Sequence, residues 1–251
     1  MKYRIEKNTV QETLMIPLYA RKMCSELYPN LYRDEVACRL VNEIDYDFSA
    51  LAKKSRSLMQ RFGFLEAAMR QHDLAYEVGD YLRSHPDAAV VNLGCGLDDT
   101  GRRCDNGRCK IYNLDFPDVI AVRNELLGAG QREENIPCDL NDCAWFSRID
   151  ASGGAVFFAA GVFYYFLRQR VMALVQRMAE AFPGGVLVFD SANERAVRLM
   201  QGCADPGCGC VFRRFGCRAR AFPVGPPSAD FQPGLHAGLC RFACPEKFSS
   251  I

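Results

Sequence analysis

The passage that most restricts the fold is nine residues long: the apolar run Ala88-Ala89-Val90-Val91-Asn92-Leu93 feeds directly into Gly94-Cys95-Gly96. A run this short and valine-rich suits a strand buried on both faces, as in the middle of a parallel sheet. Two glycines at its carboxyl end let the backbone turn sharply and let a ligand approach the main chain.

The surrounding pattern agrees. Lys110-Ile111-Tyr112-Asn113-Leu114-Asp115 reads as a second strand, Glu134 to Cys138 as a weak third, Gly154 to Ala160 as a fourth and Gly185 to Asp190 as a fifth. Helices fall between them. Pro117 to Leu127 has proline in its first turn, and Arg168 to Phe182 carries Val171, Leu174, Val175, Met178 and Phe182 on one face. A further helix is predicted from Asn193 to Met200. Alternation of this kind predicts an α/β layer over residues 85–200, a mostly parallel sheet with helices on both faces.

Residues 1–84 have a different period and predict an N-terminal helical cap. Thr13 to Leu27 places Leu14, Leu18, Met23 and Leu27 at helical spacing, with Pro17 near its start and Pro29 after its end. A second helix is predicted over Arg33 to Ile44. A third is predicted over Arg61 to Arg83, stopped by His85-Pro86-Asp87.

Composition excludes some functions. The formal charge of +1 offers no drive toward nucleic acid or an anionic membrane. No apolar run is long enough for a transmembrane helix, and Met1 to Lys7 lacks the apolar stretch of a signal peptide, so the expectation is a cytoplasmic protein. Thirteen cysteines are an odd number, and a disulfide framework is not expected in a reducing compartment. Cys24, Cys38, Cys95, Cys138 and Cys143 read as small buried apolar residues.

The chemistry follows from what surrounds the glycine turn. A dinucleotide fingerprint needs a third glycine three residues after the second; here that place is Asp99, preceded by Asp98. A diphosphate would meet carboxylates there, which argues against a dinucleotide oxidoreductase. S-adenosylmethionine (SAM) has no phosphate and carries cationic groups, so an acidic rim suits it. Asp115 ends the second strand 19 positions after Gly96, where its carboxylate could accept hydrogen bonds from both ribose hydroxyls of an adenosine. The competing role for Asp115 is a helix N-cap before Pro117. Cys138-Asp139-Leu140-Asn141-Asp142 follows the third strand, where an acid or amide could meet adenine or simply cap a turn. After the fourth strand comes Ala159-Ala160-Gly161-Val162-Phe163-Tyr164-Tyr165-Phe166. Phe163 and Phe166 read as core. Tyr164 and Tyr165, whose hydroxyls need partners if buried, are the candidates for the reaction pocket.

Together these segments resemble the leucine carboxyl methyltransferase family and its bacterial polyketide-type O-methyltransferase relatives. The resemblance covers residues 11–200. It rests on Glu12 to Arg21, Ile44 to Phe48, Val90 to Asp98, Tyr112 to Ile120 and Phe182 to Asp190. It implies a Rossmann-like SAM-dependent methyltransferase fold. It further implies that the glycine turn holds the methionine part of SAM, that Asp115 holds the ribose and that Asp139 and Leu140 flank the adenine. Arg70, by its position, would grip the SAM carboxylate. The family often has a glutamate where this chain has Ala160. The expected cofactor set is therefore Arg70, Asn92, Gly94, Cys95, Gly96, Asp98, Asp115, Phe116, Asp139, Leu140 and Ala160, with Tyr164 and Tyr165 at the reacting end.

Methyl transfer mainly requires donor and acceptor to be aligned and water to be excluded. A carboxylate acceptor is ionised at neutral pH and needs no base, whereas a hydroxyl acceptor needs one. His72 lies near Arg70 in sequence; His85 and His236 read as incidental. The expected acceptor is a small molecule, polyketide-like or otherwise, or a protein carboxylate. An inactive SAM-binding remnant is the alternative.

Beyond Met200 the composition changes. Residues 201–251 are rich in Cys, Gly, Pro and Arg, hold six of the thirteen cysteines and lack clean periodicity. Three readings stay open. The tail is a divergent folded ending, or out-of-frame or otherwise unrelated sequence, or it holds zinc through Cys203, Cys208, Cys210, Cys217, Cys240 and Cys244. The last has irregular spacing and no paired C-x-x-C.

Overall fold

A computed structural model describes residues 2–6, 9–55, 57–190 and 239–243. In chain order the elements are β1 (Tyr3–Arg4), α1 (Val10–Thr13), α2 (Met15–Leu27), α3 (Glu35–Glu43), β2 (Ile44–Asp45), α4 (Ser49–Lys54), α5 (Leu58–Ser84), β3 (Ala89–Leu93), α6 (Thr100–Arg103), β4 (Lys110–Asp115), α7 (Pro117–Leu126), β5 (Glu133–Pro137), β6 (Ala155–Ala159), α8 (Arg168–Ala181), β7 (Val186–Asp190) and β8 (Leu239–Ala243). Single 3₁₀ turns cover Cys143–Arg148 and Phe163–Tyr165.

The main sheet runs β5-β4-β3-β6-β7-β8. Pairs from β5 to β7 are parallel, and β8 joins β7 antiparallel. The chain leaves β3 toward β4 on one side and returns through β6 on the other. The carboxyl ends of β3 and β6 therefore flank a topological switch point, where ligands bind in open α/β sheets.

Period-two alternation sorts the core onto two faces. Val91, Leu93, Tyr112, Leu114, Phe157 and Leu187 face Trp145 and the Leu174 and Met178 side of α8. Val90, Ile111, Val156, Phe158 and Val188 face Leu74, Val78, Tyr81 and Leu82 of α5. β3 and β6 are buried at every position, as the apolar runs predict. Fully burying each large aliphatic or aromatic side chain contributes about 1.5–3 kcal/mol, so these two layers dominate the fold's stability.

The five predicted strands are all present, each within about a residue of its expected bounds. α5 reaches further than a cap helix: its second half is one face of the sheet's core, so residues 58–84 belong to cap and core together. Ile44, expected in the second helix, is instead the extended C-cap of α3, pairing with Tyr3 in a short parallel ladder. Its buried, β-branched side chain suits an extended backbone. The four-residue α6 and the six-residue α4 carry too little periodicity to be read from sequence.

The tail shows no clean strand periodicity, yet Leu239–Ala243 pairs with Asp190–Val186. An edge strand needs only a free backbone ladder, and Leu-Cys-Arg-Phe-Ala carries little alternation to announce it. The expected helix from Asn193 to Met200 lies outside the described residues, as do the proposed zinc cysteines apart from Cys240. Among the described residues no group of three or more His, Cys, Asp or Glu could hold a metal. No described helix is long and apolar enough to cross a membrane. Of the five cysteines expected to be buried, Cys24 and Cys95 are, while Cys38, Cys138 and Cys143 are partly exposed.

Candidate active site

The glycine turn is a left-handed bend. Gly94 and Gly96 have φ of +66° and +47°, values that cost other residues strain. The N–H groups of Gly94 and Cys95 both donate to the Leu114 carbonyl, at 2.8 and 3.0 Å, locking the bend to the end of β4. Val162 sits so close over Gly94 that an added Cβ would lie 2.6 Å from its Cγ2. Leu14, between α1 and α2, reaches to 3.1 Å from where a Cβ on Gly96 would be. The loops after the two central strands thus abut, and the cap leans on the bend from outside.

Asp115 faces the bend. Its Oδ2 accepts the Gly96 N–H at 2.8 Å and its Oδ1 accepts the Phe116 N–H at 2.8 Å. It does not cap the following helix, whose N-cap is Phe116, with no side-chain cap bond. Each carboxylate oxygen carries more than one lone pair, so both can accept further donors. Burial pushes the Asp115 carboxyl above its usual range, against the pull of the two N–H donors.

Two buried arginines, neither singled out in the sequence, hold the bend from beneath. Arg123 is fully buried; it donates to the carbonyls of Gly96 (3.0 Å) and Asp98 (2.6 Å), and pairs with Glu133 at 3.2 Å. Arg21 donates to the Leu97 carbonyl at 2.9 Å and pairs with Asp34 at 2.8 Å. Burial works against the Arg21 charge, but Asp34 and Asp98 outweigh it and hold its pKa above the usual value. Asp34, which Arg21 keeps ionised despite its burial, also caps α3 through the Ala37 N–H at 2.7 Å. A signal existed for both arginines. Each interrupts a buried helical stripe: Leu18, Arg21, Ser25 on α2 and Val119, Ile120, Arg123 on α7.

Asp98 and Asp99 do not form an open acidic rim. Both are buried. Asp98 accepts the Thr100 N–H and hydroxyl at 2.9 and 2.7 Å, and lies 4.0 and 3.9 Å from Arg21 and Arg103. Asp99 sits 3.1 Å from Arg103 Nε, close enough for charge attraction although the geometry is not that of a hydrogen bond. Asn92 is buried and faces Asp98 at 3.5 Å. These residues shape the bend from within. Cys95 is buried too, and burial drives its thiol far up, so it stays protonated and unreactive.

At the adenine end, Leu140 is buried against the sheet core, whereas Asp139 is exposed and accepts both the Asn141 N–H and its amide. Phe116 is exposed beside Asp115. Cys138 N–H donates to the Asp115 carbonyl at 2.8 Å, which places the Asp139–Leu140 turn next to the acid.

The opposite end gathers residues from distant parts of the chain. Gly161, at φ +70°, follows Ala160 at the end of β6, and the Arg70 guanidinium packs closely against it. A Cβ on Gly161 would be 2.9 to 3.2 Å from the Arg70 guanidinium atoms. Arg70 Nη1 pairs with Asp190 at 2.9 Å, and Arg70 Nε is buried with no partner. Asp190 also accepts the Gly161 N–H at 2.6 Å and the Tyr164 hydroxyl. Tyr164 is half-buried; burial and Asp190 hold its phenol well above its ordinary pKa, so it is a donor and not a base. Tyr165 is exposed. His72 is exposed beside Asp73, and His85 stacks on Tyr81 at the other end of α5.

SAM fits these residues. Asp115 retains acceptor capacity beside a bend made of two positive-φ glycines, and Arg70 has a buried donor without a partner.

The family model for leucine carboxyl methyltransferase matches residues 15–179. The tetracenomycin polyketide synthesis O-methyltransferase TcmP of Streptomyces glaucescens is 27% identical over 191 residues, 76% of this chain and 68% of that protein. The SAM-dependent methyltransferase dpfgK of Gibberella zeae is 27% identical over 194 residues, 72% of this chain and 64% of that protein. Among solved structures, a DUF574-family protein from Streptomyces avermitilis has a TM-score of 0.53 at 14% identity, covering 76% of this chain and 72% of its own. That likeness shows the fold alone.

Proposed function

Because the chain belongs to the leucine carboxyl methyltransferase family, we propose that it is a SAM-dependent O-methyltransferase whose acceptor is a carboxylate, or an acidic hydroxyl, on a small molecule, polyketide-like or otherwise, or on a protein. One observation supports the cofactor reading above the others. The Asp115 carboxylate, at the end of one parallel strand, hydrogen-bonds the Gly96 N–H at the end of the next.

SAM supplies an electrophilic methyl group on a sulfonium. The residues here bind and orient it. Asp115 accepts from the ribose hydroxyls, the Gly94–Gly96 bend lets the cofactor approach the backbone, Arg70 meets the carboxylate, and Leu140 and Asp139 border the adenine. Leu14 and Val162 pack against the bend. Charge-assisted bonds of this kind are worth about 1.5–3 kcal/mol each.

The carboxylate acceptor is favoured by proton bookkeeping. Tyr164, half-buried at this end, is held protonated, while His72 is exposed beside Asp73 and His85 stacks on Tyr81. A carboxylate gives up no proton on methylation and needs none of them. The test is methyl transfer from radiolabelled SAM to a panel of aromatic acids, phenols and a peptide ending in a free carboxylate. Labelled ester from the acids or the peptide is the expected result; label on phenols alone would sink the carboxylate assignment. An inactive SAM-binding remnant is favoured by Ala160, which offers no carboxylate where the family often has one. Tight binding of S-adenosylhomocysteine with no product from any acceptor would support that second reading.

A further inference from the structure

Asp190 has no part in the functional reading so far, yet it is the most heavily engaged side chain at the Arg70 end. It terminates β7, its side chain is almost fully buried, and three donors from three elements converge on it. They are the Gly161 N–H after β6 at 2.6 Å, Arg70 Nη1 on α5 at 2.9 Å and the Tyr164 hydroxyl. Arg70 stands 120 residues away in sequence, and a long side chain on a helix loses much rotamer freedom when fixed. Here the guanidinium is fixed: one nitrogen on Asp190, its terminal atoms packed against Gly161, the Nε buried and without a partner.

We propose that Asp190 is a positioning residue for the amino-acid moiety of the cofactor: it locks the Arg70 guanidinium and the Gly161 turn into one preformed surface. The proposal rests on the SAM reading above. Asp190 acts through Arg70 and the Gly161 amide. Its loss should therefore be felt by a ligand carrying the amino-acid moiety and not by one lacking it. A carboxylate that merely ties α5 to the sheet would affect both ligands alike.

The experiment is calorimetric titration of the full chain with S-adenosylhomocysteine and with 5′-methylthioadenosine, which shares the adenosine and the sulfur but has no amino-acid moiety. For Asp190→Asn the expected result is a rise of about 10- to 100-fold in the Kd for S-adenosylhomocysteine, the equivalent of about one charge-assisted bond, with methylthioadenosine changed less than about threefold. In an Arg70→Met background the same substitution should add little, because residues acting as a unit are non-additive. Equal weakening of both ligands, or full additivity with Arg70→Met, would overturn the proposal. If Asp190→Asn does not fold, Asp190→Glu keeps the charge and takes its place. A selective loss for S-adenosylhomocysteine again supports the proposal, and an equal loss or none overturns it. Wild-type protein that binds neither ligand would defeat the SAM reading itself, an outcome distinct from these.

Discussion

At the β3–β4 end of the site, Gly96 and Asp115 lie 19 residues apart and meet through a backbone N–H, whereas at the β6–β7 end Arg70 and Asp190 lie 120 residues apart and meet because α5 crosses the sheet. The first end is a local device. Two adjacent parallel strands in register bring bend and acid together, and a buried arginine props the bend from below. The second end is a tertiary device, in which the pairing of helix to sheet decides whether the guanidinium is in place. The comparison teaches that the β3–β4 end is specified mainly by backbone conformation, while the β6–β7 end is specified by side-chain pairing. Substitutions should separate the two.

The largest effect is expected at the prop. Arg123→Met leaves Glu133 buried with one partner fewer and removes the donors to the Gly96 and Asp98 carbonyls. Breaking a buried pair from one side costs about 3–5 kcal/mol. Urea unfolding should show a loss in that range. A loss below about 1 kcal/mol would mean that the bend stands without Arg123 and that the local device is simpler than described.

Gly94→Ala comes next. It introduces a side chain at φ +66° and places a Cβ 2.6 Å from Val162. Left-handed strain costs about 1–2 kcal/mol before the clash is counted. The double variant Gly94→Ala/Val162→Ala removes the clash and keeps the strain, so thermal unfolding should recover only partly. Complete recovery would show that packing, and not backbone conformation, makes glycine necessary there.

Asp115→Asn sharpens the contrast with Asp190. It should raise the Kd of S-adenosylhomocysteine and of methylthioadenosine by a similar factor, about 10- to 100-fold, since both carry the ribose. A pH dependence follows. Burial raises the Asp115 carboxyl pKa in the folded protein, and only the ionised form accepts from both ribose hydroxyls. Affinity should therefore be full above that raised pKa and fall as pH drops through it, beginning at a higher pH than an ordinary aspartate would require. In the unliganded protein the sign is opposite to that of a salt-bridged acid. A raised folded pKa favours the folded state at low pH and loses that advantage as pH rises through the unfolded and then the folded value. Titration of both ligands across pH 4–8 checks the first claim; a midpoint at or below the free-carboxylate value of about 4 would remove it.

The same contrast explains what could be read in the sequence. The strands, the bend and Asp115 were legible because each is written in a short window: an apolar run, two glycines, an acid at the next strand end. Arg70 was reached only by resemblance, and Asp190 appeared there only as the last residue of a matching strand. Nothing within a few residues of either announces its partner, since the pairing depends on the crossing of α5. Asp98 read as part of an acidic rim because sequence gives charge without direction; its burial against Thr100, Arg21 and Arg103 required the cap to be in place. Arg21 and Arg123 were readable in principle, as charges interrupting buried helical stripes.

Tyr164→Phe is expected to have the smallest effect and tests whether the tertiary end does any proton chemistry. Tyr164 donates to Asp190, and its phenol is held protonated by burial and by that neighbouring carboxylate. A group fixed in this way cannot take a proton from an acceptor near neutral pH, so its removal should cost orientation only. One neutral-to-charged hydrogen bond in a cluster with two other donors is worth about 1.5–3 kcal/mol at most, and Asp190 keeps its bonds to Arg70 and Gly161. With a carboxylate acceptor only part of that bond's worth should reach the transition state, because Tyr164 is not the proton acceptor. The kcat should therefore fall less than about tenfold, or about 1.36 kcal/mol, and the pH–rate profile should keep its shape. If instead the profile loses a limb, Tyr164 carries a proton in the reaction, and the end of the site built by long-range pairing would be catalytic as well as positional.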